Sequence, residues 1–321
     1  MGGKAFGHSI PPLSTPRMPP SIYKPLRQKY MALLSTFYAQ VASPIDAPEK
    51  KSYGDIDVLV SDPISNDTSP ATLSIALNAN ASVKSGGSRS YAIPYPESAF
   101  DFVQLDIAVC APHKFAWELF THSHGDLWNL LGTSIRPFGL TANDVGLHLR
   151  IREIEDEDRK KSLLLLTSDP ASVLEFLGLD RERYWRPFET VDELYRYATG
   201  MRLFRRDTYI REILKANDRK RMIQRPLYRD FVDEWLPKRP QLGIGVDWSP
   251  TLRLNVLEEA LDVYGKRNEY HEKLETWRKT MSELQIKKEA SDLRRAGIKE
   301  EIEYADAWIC TSTRSLVQEV T

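Results

Sequence analysis

The chain has 321 residues, of which 41% are hydrophobic and 28% are charged. This apolar content can offset the chain entropy that is lost on folding, so a wholly disordered chain is excluded. The 44 Lys and Arg residues nearly balance the 45 Asp and Glu residues, so no overall charge attracts the chain to nucleic acid or to an anionic membrane. The length favours two hydrophobic cores over one.

The sequence shows no membrane or secretion signal. No stretch approaches the about 18 consecutive apolar residues of a membrane span, and the N-terminus lacks the basic and then apolar pattern of a secretion signal. The two cysteines, Cys110 and Cys310, are too few for a disulfide framework. We therefore expect a soluble, intracellular protein, cytoplasmic or nuclear, with no membrane partner. Its oligomeric state stays open.

The first half of the chain predicts a mixture of helices and strands. Residues 8–20 carry five prolines and predict an extended segment. Apolar residues at spacings of three and four then predict an amphipathic helix over 22–41. A β-branched run predicts a strand over 53–60, and two more strands are predicted over 91–93 and 100–109.

The second half predicts helices almost throughout. Asp169 followed by Pro170 is typical of a helix start, and the apolar period stays helical beyond it. We therefore predict the α+β class, with a small mixed β-sheet in the N-terminal half and an all-helical C-terminal half. The change of period predicts two domains, over residues 1–167 and 168–321.

Three acidic residues on two predicted strands are candidates for a metal site. Side chains two residues apart share one face of a strand, so Asp55 and Asp57 project together. Asp106 likewise alternates with apolar residues in the strand over 100–109. Like charges this close repel each other, and a hard divalent cation bound by carboxylate oxygens compensates for that repulsion. Gly54, directly before the first acid, lets a phosphate or a second loop approach closely.

The Gly-Asp-x-Asp run within residues 51–58, followed by a later strand with a single Asp, resembles the nucleotidyltransferase superfamily typified by DNA polymerase β and the poly(A) polymerases. The resemblance implies a nucleotidyltransferase-like N-terminal half that transfers a nucleotidyl group from a nucleoside triphosphate to an acceptor hydroxyl. It also implies that Asp55, Asp57 and Asp106 are catalytic and hold Mg²⁺ or Mn²⁺. By the same resemblance, Asp106 helps to activate the acceptor hydroxyl.

That superfamily grips the triphosphate with a Gly-Gly or Gly-Ser pair that precedes the acids. Gly2 and Gly3 match this pair, but Gly3 lies 52 residues before the first acid, with the proline-rich segment and a predicted helix between them. Either this insert loops out and leaves the geometry intact, or Lys50, Lys51 and Ser52 grip the triphosphate instead.

A basic stretch in the second half is a candidate surface for the acceptor. Between Arg196 and Arg239 there are 13 Lys or Arg against 6 Asp or Glu, with six aromatic residues among them. The phosphates of an RNA or DNA acceptor can bind such a stretch while its bases stack on the rings. Arg and Lys that merely solvate helix faces explain the same composition equally well.

Two other classes of function stay open. An Asp-x-Asp pair between apolar residues is also typical of glycosyltransferases that bind Mn²⁺ and the diphosphate of a nucleotide sugar, and these need neither Asp106 nor Gly54. A non-catalytic protein could keep the fold and bind RNA or a partner through its basic helices. His122 and His124 are further candidates for a place beside the nucleotide, although nothing completes a zinc site around them.

Overall fold

The computed structural model describes residues 3–7, 12–96, 98–214, 216–243 and 249–296. Over these ranges the protein is α+β, as predicted, with a five-stranded mixed sheet in the N-terminal half and mostly helices in the C-terminal part. The chain forms two compact units, Met1–His148 with Thr167–Arg253, and Leu149–Leu166 with Leu254–Thr321. Residues on both sides of position 168 belong to the first unit, and the assignment of two folding domains stays a prediction.

The strands and helices are numbered here in chain order. The described strands are β1 (Tyr38–Ala42), β2 (Asp55–Pro63), β3 (Ala81–Ser85), β4 (Ser88–Pro94), β5 (Phe102–Val109), β6 (Leu140–Ala142), β7 (Leu147–Arg150) and β8 (Leu163–Thr167). The described α-helices are α1 (Pro20–Leu34), α2 (Pro70–Ala76), α3 (Pro112–His122), α4 (Leu127–Ile135), α5 (Arg152–Glu155), α6 (Pro170–Phe176), α7 (Arg181–Tyr184), α8 (Val191–Thr199), α9 (Ala216–Gln224), α10 (Pro226–Asp230), α11 (Pro250–Val263) and α12 (Arg267–Ala296).

The five-stranded sheet has the order β1-β2-β5-β4-β3. Strands β2 and β5 lie side by side and run parallel, whereas the other neighbouring pairs are antiparallel. A parallel pair needs a long connection, and α2 with the hairpin β3-β4 supplies it. The two strands that carry the predicted acids are therefore direct neighbours near the middle of the sheet.

One face of this sheet packs into a hydrophobic core. Ile56 and Val58 of β2 are buried there together with Leu105 and Ile107 of β5. Helix α1 covers them because its apolar residues recur at spacings of three and four and so fall on one side. Its buried side chains are Tyr23, Leu26, Tyr30 and Leu34. Side chains alternate along a strand, so the acids of β2 and β5 are on the opposite face.

The helix predicted over 22–41 is shorter than expected. It ends at Leu34, and β1 follows and pairs antiparallel with β2, with Val41 opposite Val60. Short apolar runs fit the helical and the strand period equally well. Residues 38–42 form a strand and not a helix because, as a strand, they satisfy the backbone hydrogen-bonding groups at the edge of β2.

The described residues of the C-terminal part are mostly helical, as predicted. Between α8 and α9 the chain forms two short 3₁₀ turns, Arg206–Tyr209 and Arg211–Ile213, and not an α-helix, because Ile210 between them is extended. Among the residues that the structure describes, no helix combines the length and the apolarity needed to cross a membrane.

Candidate metal centre

The register of β2 and β5 brings the three predicted acids together. Asp57 is aligned with Asp106 across the parallel pair, and Asp55 is aligned with Gln104. One carboxylate oxygen from each acid lies within 4.8 Å of those of the other two. The three carboxylates therefore form one cluster on the sheet face opposite the core, and we call it the acid cluster.

The acid cluster has a geometry and a donor set that fit Mg²⁺ or Mn²⁺. Mg²⁺ binds oxygen at about 2.0–2.1 Å, so two oxygens on one ion lie at most about 4.2 Å apart. Oxygens within 4.8 Å of one another need only small side-chain movements to reach that spacing. Two ions about 3.5–4 Å apart can also share such a set. The ligands are carboxylates alone, which suits a hard cation.

Two of the three carboxyls have raised pKa values. Surrounding protein that displaces water raises the pKa of Asp57 to about 7, and the charges of Asp55 and Asp106 add to the rise. Burial and then the charge of Asp106 raise the pKa of Asp55, while the positive charge of Lys50 opposes that shift. The raised pKa values show that the protein does not fully compensate the negative charges of these carboxylates, and a bound cation would compensate them.

The acid cluster lines a cleft with a volume of about 320 Å³. Residues 43–47 form another part of the wall, together with Lys50. Helix α3 contributes Glu118 and His122. The volume falls within the range of small-molecule sites, so the acids face a space that can admit a ligand.

Gly3 lies against the acid cluster although it is 52 residues away from Asp55 in the sequence. Its backbone N–H donates a hydrogen bond to the Asp55 carboxylate. Its φ is +83°, and a Cβ atom at this position would lie 2.6 Å from the Gly54 carbonyl oxygen, so the position requires glycine. Gly3 therefore lies beside the acids despite the long insert between them. Gly2 lies outside the described residues.

The proline-rich segment is bound to the residues directly before β2. Met18 and Tyr53 form an antiparallel bridge. The Arg17 guanidinium donates to the hydroxyl and to the carbonyl oxygen of Ser52, at 2.9 and 2.6 Å. These contacts bring residues 17 and 18 next to residues 52 and 53. Ser52 is hydrogen-bonded to Arg17 and does not line the cleft.

Gln104 is a residue of the site that was not among the predicted ones. Its side-chain oxygen accepts the Ala5 N–H at 2.9 Å, and its amide nitrogen donates to both carboxylate oxygens of Asp106, at 3.1 and 2.9 Å. It therefore links the N-terminal segment to the third acid. Its position two residues before Asp106, on the same strand face, is the signal that points to it.

Of residues 50–52, Lys50 alone lines the cleft. Its Nζ lies 3.8 Å from Asp46 Oδ1 and 4.6 Å from the centre of the Tyr53 ring. Lys51, another candidate for gripping the triphosphate, is exposed and is not part of the cleft wall. Gly54 is buried directly before the acids. Lys50 is therefore the cation placed to meet an anionic ligand.

Replacing Lys50 is expected to weaken the binding of an anionic ligand in the cleft, for which Mg²⁺-ATP is the probe. Lys50→Ala removes the positive charge from the cleft wall, and we expect the Kd for Mg²⁺-ATP to rise about tenfold, as for the loss of one hydrogen bond to a charged group. Lys51→Ala is the matched control, because it removes an adjacent charge outside the cleft. Isothermal titration calorimetry on both variants measures the difference. Equal affinities for the two variants would contradict the role of Lys50.

The two candidate histidines have different environments. His124 is fully buried, and its Nε2 donates to the Tyr184 carbonyl oxygen at 2.6 Å. Burial lowers the pKa of His124 to about 4, so its ring is neutral and belongs to the core. His122, two residues earlier, is exposed and lines the cleft.

Most of the aromatic rings in the stretch Arg196–Arg239 are not accessible for stacking. Five of its six aromatic side chains are buried and contact one another or neighbouring rings, so their interpretation as base-stacking platforms is wrong. Several cations are paired within the protein. These pairs include Arg196 with Asp192, Arg211 with Asp233, Arg221 with Asp218, and Lys238 with Glu234. The prediction of an RNA or DNA acceptor there rests on the remaining charge alone.

Comparison with models of known protein families gives no match, and comparison with curated proteins gives no significant match.

Proposed function

We propose that this protein is a metal-dependent nucleotidyltransferase that moves a nucleotidyl group from a nucleoside triphosphate to an acceptor hydroxyl. The observation that carries the proposal is the convergence of Asp55, Asp57 and Asp106, from two neighbouring parallel strands, on one cleft. Divalent ions on such a set can clamp the attacking and leaving oxygens of an in-line displacement.

Each group around the cleft has a defined task in this proposal. The acid cluster holds the ions, whose charge offsets the negative charge that develops on the triphosphate. Lys50 adds a positive charge for the phosphate oxygens. Gly3 and Gln104 fix the first and third acids through hydrogen bonds. The acceptor oxygen attacks the α-phosphorus, and pyrophosphate leaves.

The three-carboxylate geometry supports nucleotidyl transfer over the other two hypotheses. A glycosyltransferase of the Asp-x-Asp type has no need for Asp106, yet Asp106 aligns directly with Asp57. A protein that only binds RNA has no need for clustered acids with raised pKa values, which cost folding free energy when no cation is bound. Neither alternative explains why Gly3 lies beside Asp55.

A transfer assay with metal and labelled nucleotide tests the proposal. The full chain is incubated with each α-labelled ribonucleoside triphosphate and Mg²⁺ or Mn²⁺, with an RNA oligonucleotide, glycerol, water or the chain itself as acceptor. We expect pyrophosphate release and labelled product. Asp55→Ala should lower the rate at least about 100-fold, because it removes a ligand of the charge-stabilising ions.

Asp144→Ala is the matched control for this experiment, because Asp144 is an exposed acid that does not line the cleft. It should retain the wild-type rate. Mn²⁺ binding, measured by electron paramagnetic resonance, should be lost in Asp55→Ala and kept in the control. Equal rates in all three proteins, or no pyrophosphate release by the wild type with any acceptor, would refute the proposed function.

A further inference from the structure

We propose that His122 is the general base of the reaction and takes the proton of the acceptor hydroxyl through its Nε2 atom. This inference rests on the proposed nucleotidyl transfer and adds a catalytic residue to it. It also departs from the resemblance, which assigns the activation of the acceptor to Asp106. Three observations support it: the tautomer of the ring, its place on the cleft wall, and the hydrogen bonds of Asp106.

The tautomer of His122 follows from its helix. Its Nδ1 lies 2.8 Å from the carbonyl oxygen of Glu118, one turn earlier in α3. A carbonyl oxygen only accepts hydrogen bonds, so Nδ1 must carry the proton. The neutral ring then has its lone pair on Nε2, which is the atom a base needs. Among the described residues, none makes a hydrogen bond to Nε2.

The position of His122 on the cleft wall gives its ring access to a ligand in the cleft. The residue lines the same cleft as the acid cluster, but it comes from α3 and not from the sheet. It is exposed, so an acceptor molecule in the cleft can reach it. A base must come within hydrogen-bonding distance of the proton that it removes, and a cleft of about 320 Å³ keeps its ligands close to all its walls.

Asp106 is already committed to other bonds. Both of its carboxylate oxygens accept from the Gln104 amide nitrogen, and the proposed ions use the same oxygens as ligands. A carboxylate that is hydrogen-bonded and bound to metal is a weak proton acceptor. Nε2 of His122 accepts no hydrogen bond from the described residues and is not among the proposed metal ligands.

The step balances without a further reactant. The acceptor O–H bond breaks, its proton moves to Nε2 of His122, and the oxygen forms a bond to the α-phosphorus. The bond between the α-phosphorus and the bridging oxygen breaks, and pyrophosphate leaves with that electron pair. The imidazolium then returns its proton to solvent.

Two substitutions of His122 test the inference. His122→Ala removes the ring, and His122→Gln keeps a polar group of similar reach that cannot take a proton. We expect both to slow pyrophosphate release from Mg²⁺-ATP, with glycerol as acceptor, at least about 100-fold, which is the usual contribution of a general base. His113→Ala is the matched control, because His113 is exposed on the same helix but does not line the cleft.

Chemical rescue separates proton transfer from a structural role. Added imidazole should restore the rate of His122→Ala in proportion to its neutral form, and more basic imidazoles should restore it further. Mn²⁺ affinity and Mg²⁺-ATP affinity should match the wild type in both variants, measured by electron paramagnetic resonance and calorimetry.

The outcomes distinguish this inference from the proposed function. Full activity in His122→Gln, or a loss in His122→Ala that no imidazole restores, overturns the role of His122 and leaves nucleotidyl transfer intact. The role of His122 is also overturned if the His122 variants bind Mg²⁺-ATP more weakly and this loss of affinity alone explains their lower rate. Absence of pyrophosphate release by the wild type with every nucleotide and every acceptor tested overturns both.

Discussion

Asp57→Asn is expected to abolish nucleotidyl transfer and, in the metal-free protein above neutral pH, to raise the melting temperature. Asn removes a charged ligand from the centre of the acid cluster, so Mg²⁺ and Mn²⁺ binding should be lost with the activity. The same change removes one of three like charges that repel each other. A residue that serves metal binding at the expense of stability has both effects at once.

The sign of the pH dependence follows from the raised pKa of Asp57. Folded, this carboxyl keeps its proton up to about pH 7, whereas in the unfolded chain it ionises near about 3.9. Between these values the folded protein binds more protons, so its stability falls as pH rises, and the fall ends above pH 7. Asp57 is the most exposed of the three acids, so solvent screening limits the effect to on the order of 1 kcal/mol.

Thermal denaturation between pH 5.5 and pH 8, in the presence of EDTA, measures this effect. The quantity compared is the difference in melting temperature between the wild type and Asp57→Asn. The difference is needed because His124, whose pKa burial lowers to about 4, gives the opposite slope up to about pH 6.5. We expect the gap in melting temperature to widen toward pH 8, to about 2–4 °C. Mg²⁺ should then stabilise the wild type and leave the variant unchanged. A constant gap, or a variant stabilised by Mg²⁺, would contradict the explanation.

Strand alternation was enough to predict which strand face each of the three acids occupies. Asp55 and Asp57 share a face because they are two residues apart, and Asp106 alternates with apolar residues in the same manner. The direct pairing of the two strands was not predictable from either strand alone. The pairing depends on the connection from β2 to β5 through α2 and the β3-β4 hairpin. The sequence of that connection does not indicate which residues of β2 and β5 lie opposite each other.

Gly3 and the basic stretch show two limits of reading the sequence locally. The distance between Gly3 and the acids suggested separation, yet the contacts of Met18 with Tyr53 and of Arg17 with Ser52 close it. In the basic stretch, composition counts rings and charges but does not tell which side of a helix they occupy. The structure uses the rings for the core and pairs many of the charges.

Gly3→Ala is expected to weaken the site more than its distance in sequence suggests. Alanine is strained at a φ of +83°, and its Cβ would lie 2.6 Å from the backbone oxygen of Gly54, so residues 3–7 must shift. The shift breaks the hydrogen bond from Gly3 to Asp55. Loss of such an outer partner of a metal ligand typically costs about 10- to 100-fold in affinity or activity. We expect a change of that size in the Mn²⁺ affinity and in the rate of pyrophosphate release.

Gly7→Ala is the matched control for Gly3→Ala, because it adds the same methyl group to the same segment. At that position the nearest atom to a new Cβ is the Lys4 carbonyl oxygen at 3.6 Å, an ordinary contact. Both variants should keep the wild-type melting temperature in EDTA to within a few degrees, since each alters a short segment near one end of the chain. A Mn²⁺ affinity that falls equally in both would show that Gly3 has no special part in positioning Asp55. A fall in Gly3→Ala alone would tie the N-terminal glycine to the metal site through the carboxylate that it holds.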